Sequence, residues 1–472
     1  MTDQPWNWTA AEMARAVRSR AISSVELLKA VLSRVDEVNP RINAIVDLTL
    51  DDAMQAAESA DEAVRNRESL GPLHGVPVTV KINVDYQGRA TTNGVVAFKD
   101  AIASADSAPV ANLRKAGAVI FGRTNTPAFS HRAFTDNDLH GRTLNPWDPK
   151  RTPGGSSGGA SAAVAARMGP IAHGNDRAGS VRYPAYACGV LGLRPSFGRV
   201  PEFSPSAKEE RGIFTQLTMV HGVLARSTDD LRLAMAALEG EAYADPWAFP
   251  AKAGGPAGPG SLRVAIVSSV PDVKFDAAVV AALRKAADVL AGAGYEIEDK
   301  TPPDFVEPAL MFWKLMMTEE RAASANETAS STRAIELYGD KAVKVVRAGN
   351  KAYAGVYDFD GYVRALARRT TLLRGWRRFL QLYPLLMTPV SWDLPFPIDY
   401  DQQGEAAMRR TIEACHPLLS VSTMGLPSLA VPVGLVDGIP VGIQLVADRF
   451  QEELMFQAAE AIQAACPIQY PN

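Results

Sequence analysis

The apolar and polar positions of the chain follow two periods in turn, one typical of buried strands and one typical of helices. Residues 76–82 read VPVTVKI, a β-branched run that predicts a strand buried on both faces and ending at Lys81. Residues 108–116 have helical spacing, and the run AVIFGRTN at 118–125 predicts a further strand. Because strands and helices alternate, the pattern predicts an α/β fold in which helices flank a sheet.

Two capping-box patterns, at residues 9–12 and 23–26, open the first two predicted helices. The first helix is expected to run to Arg20 and the second to Val38, where Asn39-Pro40 ends it. Other predicted strands are 43–46, 190–193, 262–267, 295–299, 385–389, 428–434 and 439–447, and other predicted helices are 51–67, 160–168, 227–238, 276–292 and 451–464. A tight turn is expected at Asp437-Gly438, between the last two strands.

The Gly- and Pro-rich run AKAGGPAGPG, residues 251–260, is a predicted linker. The alternation of strands and helices continues beyond it, which argues against a separate second domain. We therefore expect a single domain over residues 1–472, with N-terminal helices at 1–70, a core at 71–240, the Gly/Pro linker at 251–260, and a helical region with closing strands at 261–472.

The composition narrows the classes of partner. Hydrophobic residues make up 47% of the 472-residue chain and charged residues 21%, which are ordinary values for a globular protein. The formal net charge of −3 gives no electrostatic reason to expect nucleic acid or an anionic membrane as a partner. No apolar segment reaches the length of a membrane span. The expected partner is a small molecule, and a homodimer is one option for the assembly.

The three cysteines, Cys188, Cys415 and Cys466, are widely spaced and show no metal-type or disulfide-type pairing. This usage fits a reducing compartment, and we interpret all three as small buried hydrophobic residues. The N-terminus lacks a basic region followed by an apolar run. We therefore expect a cytoplasmic location.

Candidate chemistry concentrates in residues 154–182, which read GGSSGGASAAVAARMGPIAHGNDRAGSVR. The glycines permit tight turns around Ser156 and Ser157, and the alanine-rich run that follows predicts a helix whose N-terminus lies at these serines. A second small-residue loop is expected from Gly174 to Ser180, with backbone N–H groups beside the Ser180 hydroxyl. Such N–H groups are suited to an oxyanion hole.

Three other interpretations of this segment compete with a catalytic one. On composition alone, a flexible Ser/Gly loop is the most frequent case, but the predicted helix directly after it argues against flexibility. The pattern GxSxG fits at both Ser156 and Ser157, yet the preceding NPWDPKRTP contains three prolines and cannot be the hydrophobic strand of a nucleophile elbow. A phosphate-binding loop would need GK[ST] after the glycines, and this sequence has none.

The polar loop at 125–153 offers a further candidate, a metal site. It contains His131, Asp136, Asn137, Asp138 and His140. Their spacing matches no familiar ligand set, so we expect no metal and no cofactor, and interpret the loop as a wall of the active site.

The segment 154–182 closely resembles the signature segment of the amidase signature family of serine hydrolases. The run GVPVTVKINVD at 75–85 resembles the family's strand that ends in its catalytic Lys. The resemblance covers most of the chain and is strongest at 71–227 and from 384 to the end. It implies the amidase signature fold, a central mixed twisted sheet covered by helices on both faces. The variant HGNDRAGSVR is also similar to that of the 6-aminohexanoate cyclic-dimer hydrolases in this family.

The resemblance assigns three catalytic roles. Ser180 would be the nucleophile, Ser156 the relaying serine with a cis peptide bond before it, and Lys81 the base. The family's oxyanion-hole positions fall on the backbone N–H groups of Arg177, Ala178, Gly179 and Ser180.

Substrate contacts are expected from Ser157 and Arg177. Arg177 and Ala178 stand where the family has smaller residues, and the usual Asp after the catalytic Lys is replaced by Ile82. A guanidinium turned into the pocket would favour an acidic or strongly polar acyl group; alternatively, Arg177 pairs with a carboxylate such as Asp176.

The predicted function is hydrolysis of the C–N bond of a linear or cyclic carboxylic amide, giving an acid and ammonia or an amine through a seryl acyl-enzyme. Two alternatives stay open. One is a chain resembling the glutaminase subunit of glutamyl-tRNA amidotransferase, which needs a partner chain. The other is a non-catalytic binding protein on the same fold, suggested by Arg177, Ala178 and Ile82.

Overall fold

The computed structural model describes residues 4–207, 209–240, 243–249, 262–323 and 332–471, so the predicted linker at 251–260 lies outside the described residues. The strands are β1 Ile45–Leu48, β2 Pro77–Lys81, β3 Val119–Thr124, β4 Ile171–Asp176, β5 Leu191–Arg194, β6 Val220–Ala225, β7 Arg263–Ile266, β8 Glu296–Asp299, β9 Leu385–Pro389, β10 Ser428–Val436 and β11 Ile439–Val446. The helices are α1 Ala10–Arg18, α2 Ser24–Ile42, α3 Leu50–Asn66, α4 Ala108–Lys115, α5 Gly158–Ala165, α6 Arg182–Cys188, α7 Ile213–Thr218, α8 Thr228–Leu238, α9 Ala277–Gly292, α10 Glu307–Ala322, α11 Thr332–Tyr338, α12 Lys341–Ala354, α13 Phe359–Leu382, α14 Glu405–Ala414, α15 His416–Met424 and α16 Glu452–Ala465.

The strands form one 11-stranded mixed sheet in the order β1-β3-β2-β4-β6-β5-β10-β11-β9-β7-β8. Strand β2 runs parallel to both β3 and β4, and β7 runs parallel to β8 and β9. The remaining neighbours are antiparallel, including the β10–β11 hairpin that closes at Asp437-Gly438. The predicted mixed α/β sheet is thus confirmed, and its strands continue from the signature core into the C-terminal region.

The central strands are covered on both faces. Every residue of β2, β4 and β6 is buried, although side chains of a strand point alternately to its two sides. Helix α5 is buried throughout and packs against β2 and β4. This double cover fits the largely apolar sequences of β2 and β6, whereas the second part of β4 reads HGND. Within the described ranges, no helix combines the length and apolar character needed to cross a membrane.

The N-terminal helices begin where the sequence predicted. In both capping boxes the Ser or Thr side chain accepts a bond from the N3 backbone, and the Glu side chain accepts one from the N–H of the cap residue. The prediction that α2 ends at Asn39-Pro40 is wrong, because the helix continues to Ile42. Pro40 removes only its own N–H bond, and the Asn43 N–H still closes the last turn on the Asn39 carbonyl at 2.7 Å. The following strand therefore begins at Ile45 and not at residue 43.

Candidate active site

Lys81, Ser156 and Ser180 come from three different elements that meet at one edge of the sheet. Lys81 ends β2, Ser156 lies just before α5, and Ser180 lies between β4 and α6. Because β2 and β4 are parallel neighbours, their carboxyl ends lie side by side. The Ser157 N–H donates to the Ser180 carbonyl at 3.1 Å, which ties the two serine loops together. The peptide bond between Gly155 and Ser156 is cis, as the family resemblance implied.

Lys81 is fully buried at the centre of this arrangement. Its Nζ donates to Ser156 Oγ at 2.7 Å and to Asn175 Oδ1 at 2.9 Å. Burial lowers the pKa of Lys81 to about 7, although the negative charge of Asp176 opposes the shift. A large share of Lys81 is therefore neutral near pH 7 and able to accept a proton.

Two asparagines orient Lys81 where the usual Asp of the family is missing. Ile82 is buried and makes no polar side-chain contact, whereas Asn83 and Asn175 join their amides by bonds of 3.0 and 3.3 Å. Asn83 also donates to Ser130 Oγ at 3.0 Å. Neither asparagine was expected to take part in the site, although each lies at the carboxyl end of a predicted strand or apolar run.

The prediction of a loop from Gly174 to Ser180 is wrong in its first half. Gly174, Asn175 and Asp176 belong to β4, where they pair with β6. The loop proper is thus only residues 177–181, held between a strand and helix α6. This short span fixes the backbone around Ser180 more firmly than a free small-residue loop would.

The backbone N–H groups of this loop divide into two sets. Gly179 has a φ of +103° and donates its N–H to Asp176 Oδ1 at 2.9 Å, so that N–H is already used. Within the described part of the chain, the N–H groups of Arg177, Ala178 and Ser180 have no hydrogen-bond partner. These three are the N–H groups that remain for an oxyanion.

The side chain of Ser180 makes no hydrogen bond to any described residue, so the expected bond between the Ser156 and Ser180 hydroxyls is not formed. Ser156 Oγ already accepts from Lys81, and both serines line the same cavity. A proton can pass directly between the two serines only when their hydroxyls come within hydrogen-bond distance.

Asp176 anchors the loop at residues 177–181 that contains Ser180. Its carboxylate accepts hydrogen bonds from the backbone N–H groups of Gly179 and Val181. It also accepts two hydrogen bonds of 2.9 Å from the guanidinium of Arg182 and forms an ion pair with Arg194. Burial would raise the pKa of Asp176, but Arg182 and Arg194 outweigh it and hold that pKa well below its ordinary value. All three side chains are fully buried.

We expect Asp176→Asn to destabilise the fold by about 3–5 kcal/mol, because it leaves two buried guanidinium groups without their counter-charge. Urea unfolding measures the change. The matched control is Asp229→Asn, which removes an ion pair with Arg232 at a side chain that is 69% exposed, and should change stability by less than about 0.5 kcal/mol. Equal effects for the two variants would contradict the anchoring role.

The two expected substrate contacts have different outcomes. Ser157 is fully buried, its hydroxyl has no hydrogen-bond partner among the described residues, and it does not line the cavity, which corrects the expectation that it touches substrate. Arg177 does line the cavity. It does not pair with Asp176, because Arg182 and Arg194 occupy that carboxylate.

A cavity of about 900 Å³ opens over the serines. Its apolar wall comes from Phe98, Phe129, Trp313 and Met408, in segments far apart in the sequence. Cys415 also reaches this wall and is only partly buried, unlike the buried cysteine that was expected. His131 from the polar loop lines the cavity, as an active-site wall should. The described residues contain no group of three or more His, Cys, Asp or Glu arranged to hold a metal ion.

Comparison with known proteins places this architecture in a family. The family model described as Amidase matches residues 26–456. Indoleacetamide hydrolase of Bradyrhizobium diazoefficiens is 42% identical over 97% of this chain and 86% of its own length. One subunit of the glutamyl-tRNA(Gln) amidotransferase of Deinococcus radiodurans is 32% identical over 98% of both chains. The solved structure of a 6-aminohexanoate cyclic dimer hydrolase complexed with substrate superposes with a TM-score of 0.84, at 28% identity and 99% coverage of both chains. The chain therefore belongs to the amidase family of enzymes, which hydrolyse the C–N bonds of carboxylic amides.

Proposed function

We propose that the protein hydrolyses small carboxylic amides through an acyl-enzyme on Ser180, with Ser156 as the relay and Lys81 as the base. The observation that carries this proposal is the 2.7 Å bond between Lys81 Nζ and Ser156 Oγ in a fully buried site. A buried amine whose pKa lies near 7 can act as a base at neutral pH, which an exposed lysine cannot.

The proposed first half-reaction begins with proton transfer. Neutral Lys81 accepts the proton of Ser156, Ser156 accepts that of Ser180, and Ser180 Oγ bonds to the acyl carbon. The free N–H groups of the loop stabilise the negative charge that develops on the carbonyl oxygen. Collapse of the intermediate breaks the C–N bond while the proton returns through Ser156 to the departing nitrogen.

The second half-reaction uses the same groups with water in place of the amine. Water loses a proton through Ser156 to Lys81 and attacks the acyl carbon. The C–O bond to Ser180 then breaks, and Ser180 recovers its proton as the carboxylic acid leaves.

The four residues 177–180 were all expected to hold the oxyanion, and we now assign this role to Arg177, Ala178 and Ser180, since the N–H of Gly179 is bound to Asp176.

The cavity supports a small organic amide as the substrate. A volume of about 900 Å³ lies within the range of ligand pockets, and its aromatic wall suits an apolar or aryl portion. The relatives named for indoleacetamide and 6-aminohexanoate cyclic dimer fit a substrate of this size. A homodimeric assembly and a cytoplasmic location stay predictions.

We expect the purified chain alone to release ammonia or amine from one or more members of a panel of aliphatic, aryl, cyclic and peptide amides. The higher identity to indoleacetamide hydrolase than to the amidotransferase chain favours such independent activity. Release of ammonia from glutamine only after a partner chain is added would support the alternative of a glutaminase subunit. A folded chain that cleaves no amide in the panel would support the alternative of a binding protein.

A further inference from the structure

Arg177 lies in the same loop as Ser180, and its guanidinium has no counter-ion within the described ranges. Among the described residues, no carboxylate lies within ion-pair distance of it, and its hydrogen-bond contact is to His131 Nε2 at 3.5 Å. Burial, with the charge of Arg211, lowers the pKa of Arg177 only to about 10, so the group stays positively charged at neutral pH. Arg177 is only partly buried, and a partly desolvated charge without a counter-ion is unfavourable, so an anion that enters the cavity offsets part of this cost.

The residues around Arg177 do not supply that anion. His131 is neutral, because burial and the nearby charges of Arg177 and Arg347 hold its pKa well below the ordinary value. Glu319 acts on Arg177 only at longer range. Its carboxylate is occupied by the N–H groups of Phe214 and Thr215 at the start of α7, and by the Tyr362 hydroxyl.

Glu320 is a further acid on this side of the cavity. Its Oε1 lies 3.7 Å from His131 Nε2, and its other carboxylate oxygen pairs with the guanidinium of Arg347. The charge of Glu320 is therefore balanced by Arg347 and does not neutralise Arg177.

A second hydrogen-bond donor faces the cavity from β6. The Lys81 N–H approaches His173 Nδ1 at 3.5 Å, and His173 Nε2 lies 3.0 Å from His221 Nδ1. Since His173 Nδ1 faces a donor, the proton of His173 sits on Nε2 and is donated to His221. His221 Nδ1 is then an acceptor, which leaves the proton of His221 on Nε2.

This Nε2–H of His221 has no partner in the described chain, and the residue lines the cavity although only 3% of it is exposed. Burial lowers the pKa of His221 to about 3 and that of His173 well below its ordinary value, so both rings are neutral. His221 is therefore a neutral hydrogen-bond donor within a residue that lines the cavity.

Arg211 links these two donors. Arg211 lines the same cavity as Arg177 and His221, and its positive charge lowers the pKa of both. Arg211 lines the cavity and pairs with Glu202 at 2.6 Å, so it contributes less free charge than Arg177 does. The acids Glu202 and Glu209 also line the cavity, and Glu202 is paired with Arg211.

We propose that Arg177 and His221, supported by Arg211, form a carboxylate-binding subsite, and that the preferred substrates are amides whose acyl part carries a free carboxylate. This inference rests on the proposed function of Ser180. Arg177 and Ser180 are three residues apart in one loop, so their Cα atoms are separated by at most about 11 Å. An acyl chain of a few carbons spans the remaining distance between the reacting carbonyl and the guanidinium.

The test compares substrates that differ only in charge. The monoamides of succinic, glutaric and adipic acid are each assayed for ammonia release against the amide in which an isopropyl group replaces the carboxylate. We expect the parent enzyme to prefer the acidic member of at least one pair by roughly tenfold or more in kcat/KM, the size of a charge-assisted hydrogen bond. A preference for the neutral member in all three pairs overturns the subsite even if both amides are cleaved.

Substitutions of Arg177 and His221 then test whether these residues cause the preference for acidic amides. Arg177→Met should lower the ratio of acidic to neutral kcat/KM by roughly tenfold or more, and Arg177→Lys should restore part of it. His221→Phe should lower the same ratio, whereas His221→Gln keeps an N–H donor and should lower it less. A ratio unchanged in Arg177→Met overturns the proposal. Failure to cleave any amide, in these pairs or in the wider panel, would instead count against the proposed function.

Discussion

Replacing Ser180 with alanine is expected to lower kcat/KM for every amide substrate by roughly 10⁴-fold or more. The change removes the atom that forms the acyl-enzyme, whereas the loop backbone that holds the oxyanion stays. The Ser180 hydroxyl makes no hydrogen bond to the described residues, so its loss should leave the fold and its stability almost unchanged. Steady-state kinetics with ammonia or amine detection, together with a thermal melt, measure both parts of this expectation.

The control for this variant is Ser59→Ala, at an exposed position of α3 far from the cavity lining. It should keep the parent's activity. If Ser180→Ala retained activity within tenfold of the parent, another residue would be the nucleophile and the assignment of Ser180 would be wrong.

Removing the amine of Lys81 is expected to produce the second large loss. Lys81→Met should be nearly inactive yet folded, because the buried position accepts an apolar side chain of similar length. Lys81→Arg should also be inactive, since guanidinium keeps the positive charge but does not give up a proton at working pH. The control is Lys29→Met on the exposed face of α2, which should retain activity.

The pH profile tests the same role without a substitution. Burial disfavours the ammonium form and lowers the pKa of Lys81 to about 7, so the neutral base is scarce below pH 7 and dominant above it. We therefore expect kcat/KM to rise with pH up to about 7 and then to level off. A profile that is flat between pH 5 and 8, or a fully active Lys81→Arg variant, is incompatible with Lys81 as the base.

The parts of the structure that depend on neighbouring residues could be predicted from the sequence. The two capping boxes, the buried strand that ends at Lys81, and the helix that follows Ser156 all depend on residues only a few positions apart. The family resemblance added the mixed sheet and the grouping of Lys81 with the two serines. The local features needed no knowledge of contacts between distant segments, whereas the sheet and the grouping of Lys81 with the serines were expected only because of the resemblance.

Other features depend on contacts that the sequence pattern does not encode. The residues Gly174 to Asp176 were expected to form a loop, because small and polar residues rarely form strands, but pairing with β6 holds them in the sheet. The amide pair of Asn83 and Asn175 joins positions 92 residues apart. The neutral imidazole pair of His173 and His221 likewise forms only when β4 and β6 lie side by side.

The residues that line the cavity could not be predicted from the sequence pattern either. Trp313 and Met408 lie on α10 and α14, where a helical apolar pattern indicates burial but not which face of the site is covered. The sequence also left open whether Arg177 pairs with Asp176, because this depends on whether other residues already bind the Asp176 carboxylate. In the folded chain, Arg182 and Arg194 bind that carboxylate.

The central claim is that Ser180 carries the acyl group, and covalent labelling tests it most directly. The folded protein is treated with a fluorophosphonate probe, digested, and the modified residue is located by mass spectrometry. We predict a single adduct on Ser180, prevented by excess amide substrate and absent from the Ser180→Ala variant. An adduct on Ser156 or Ser157, or no adduct on folded protein that hydrolyses amides, would contradict the account.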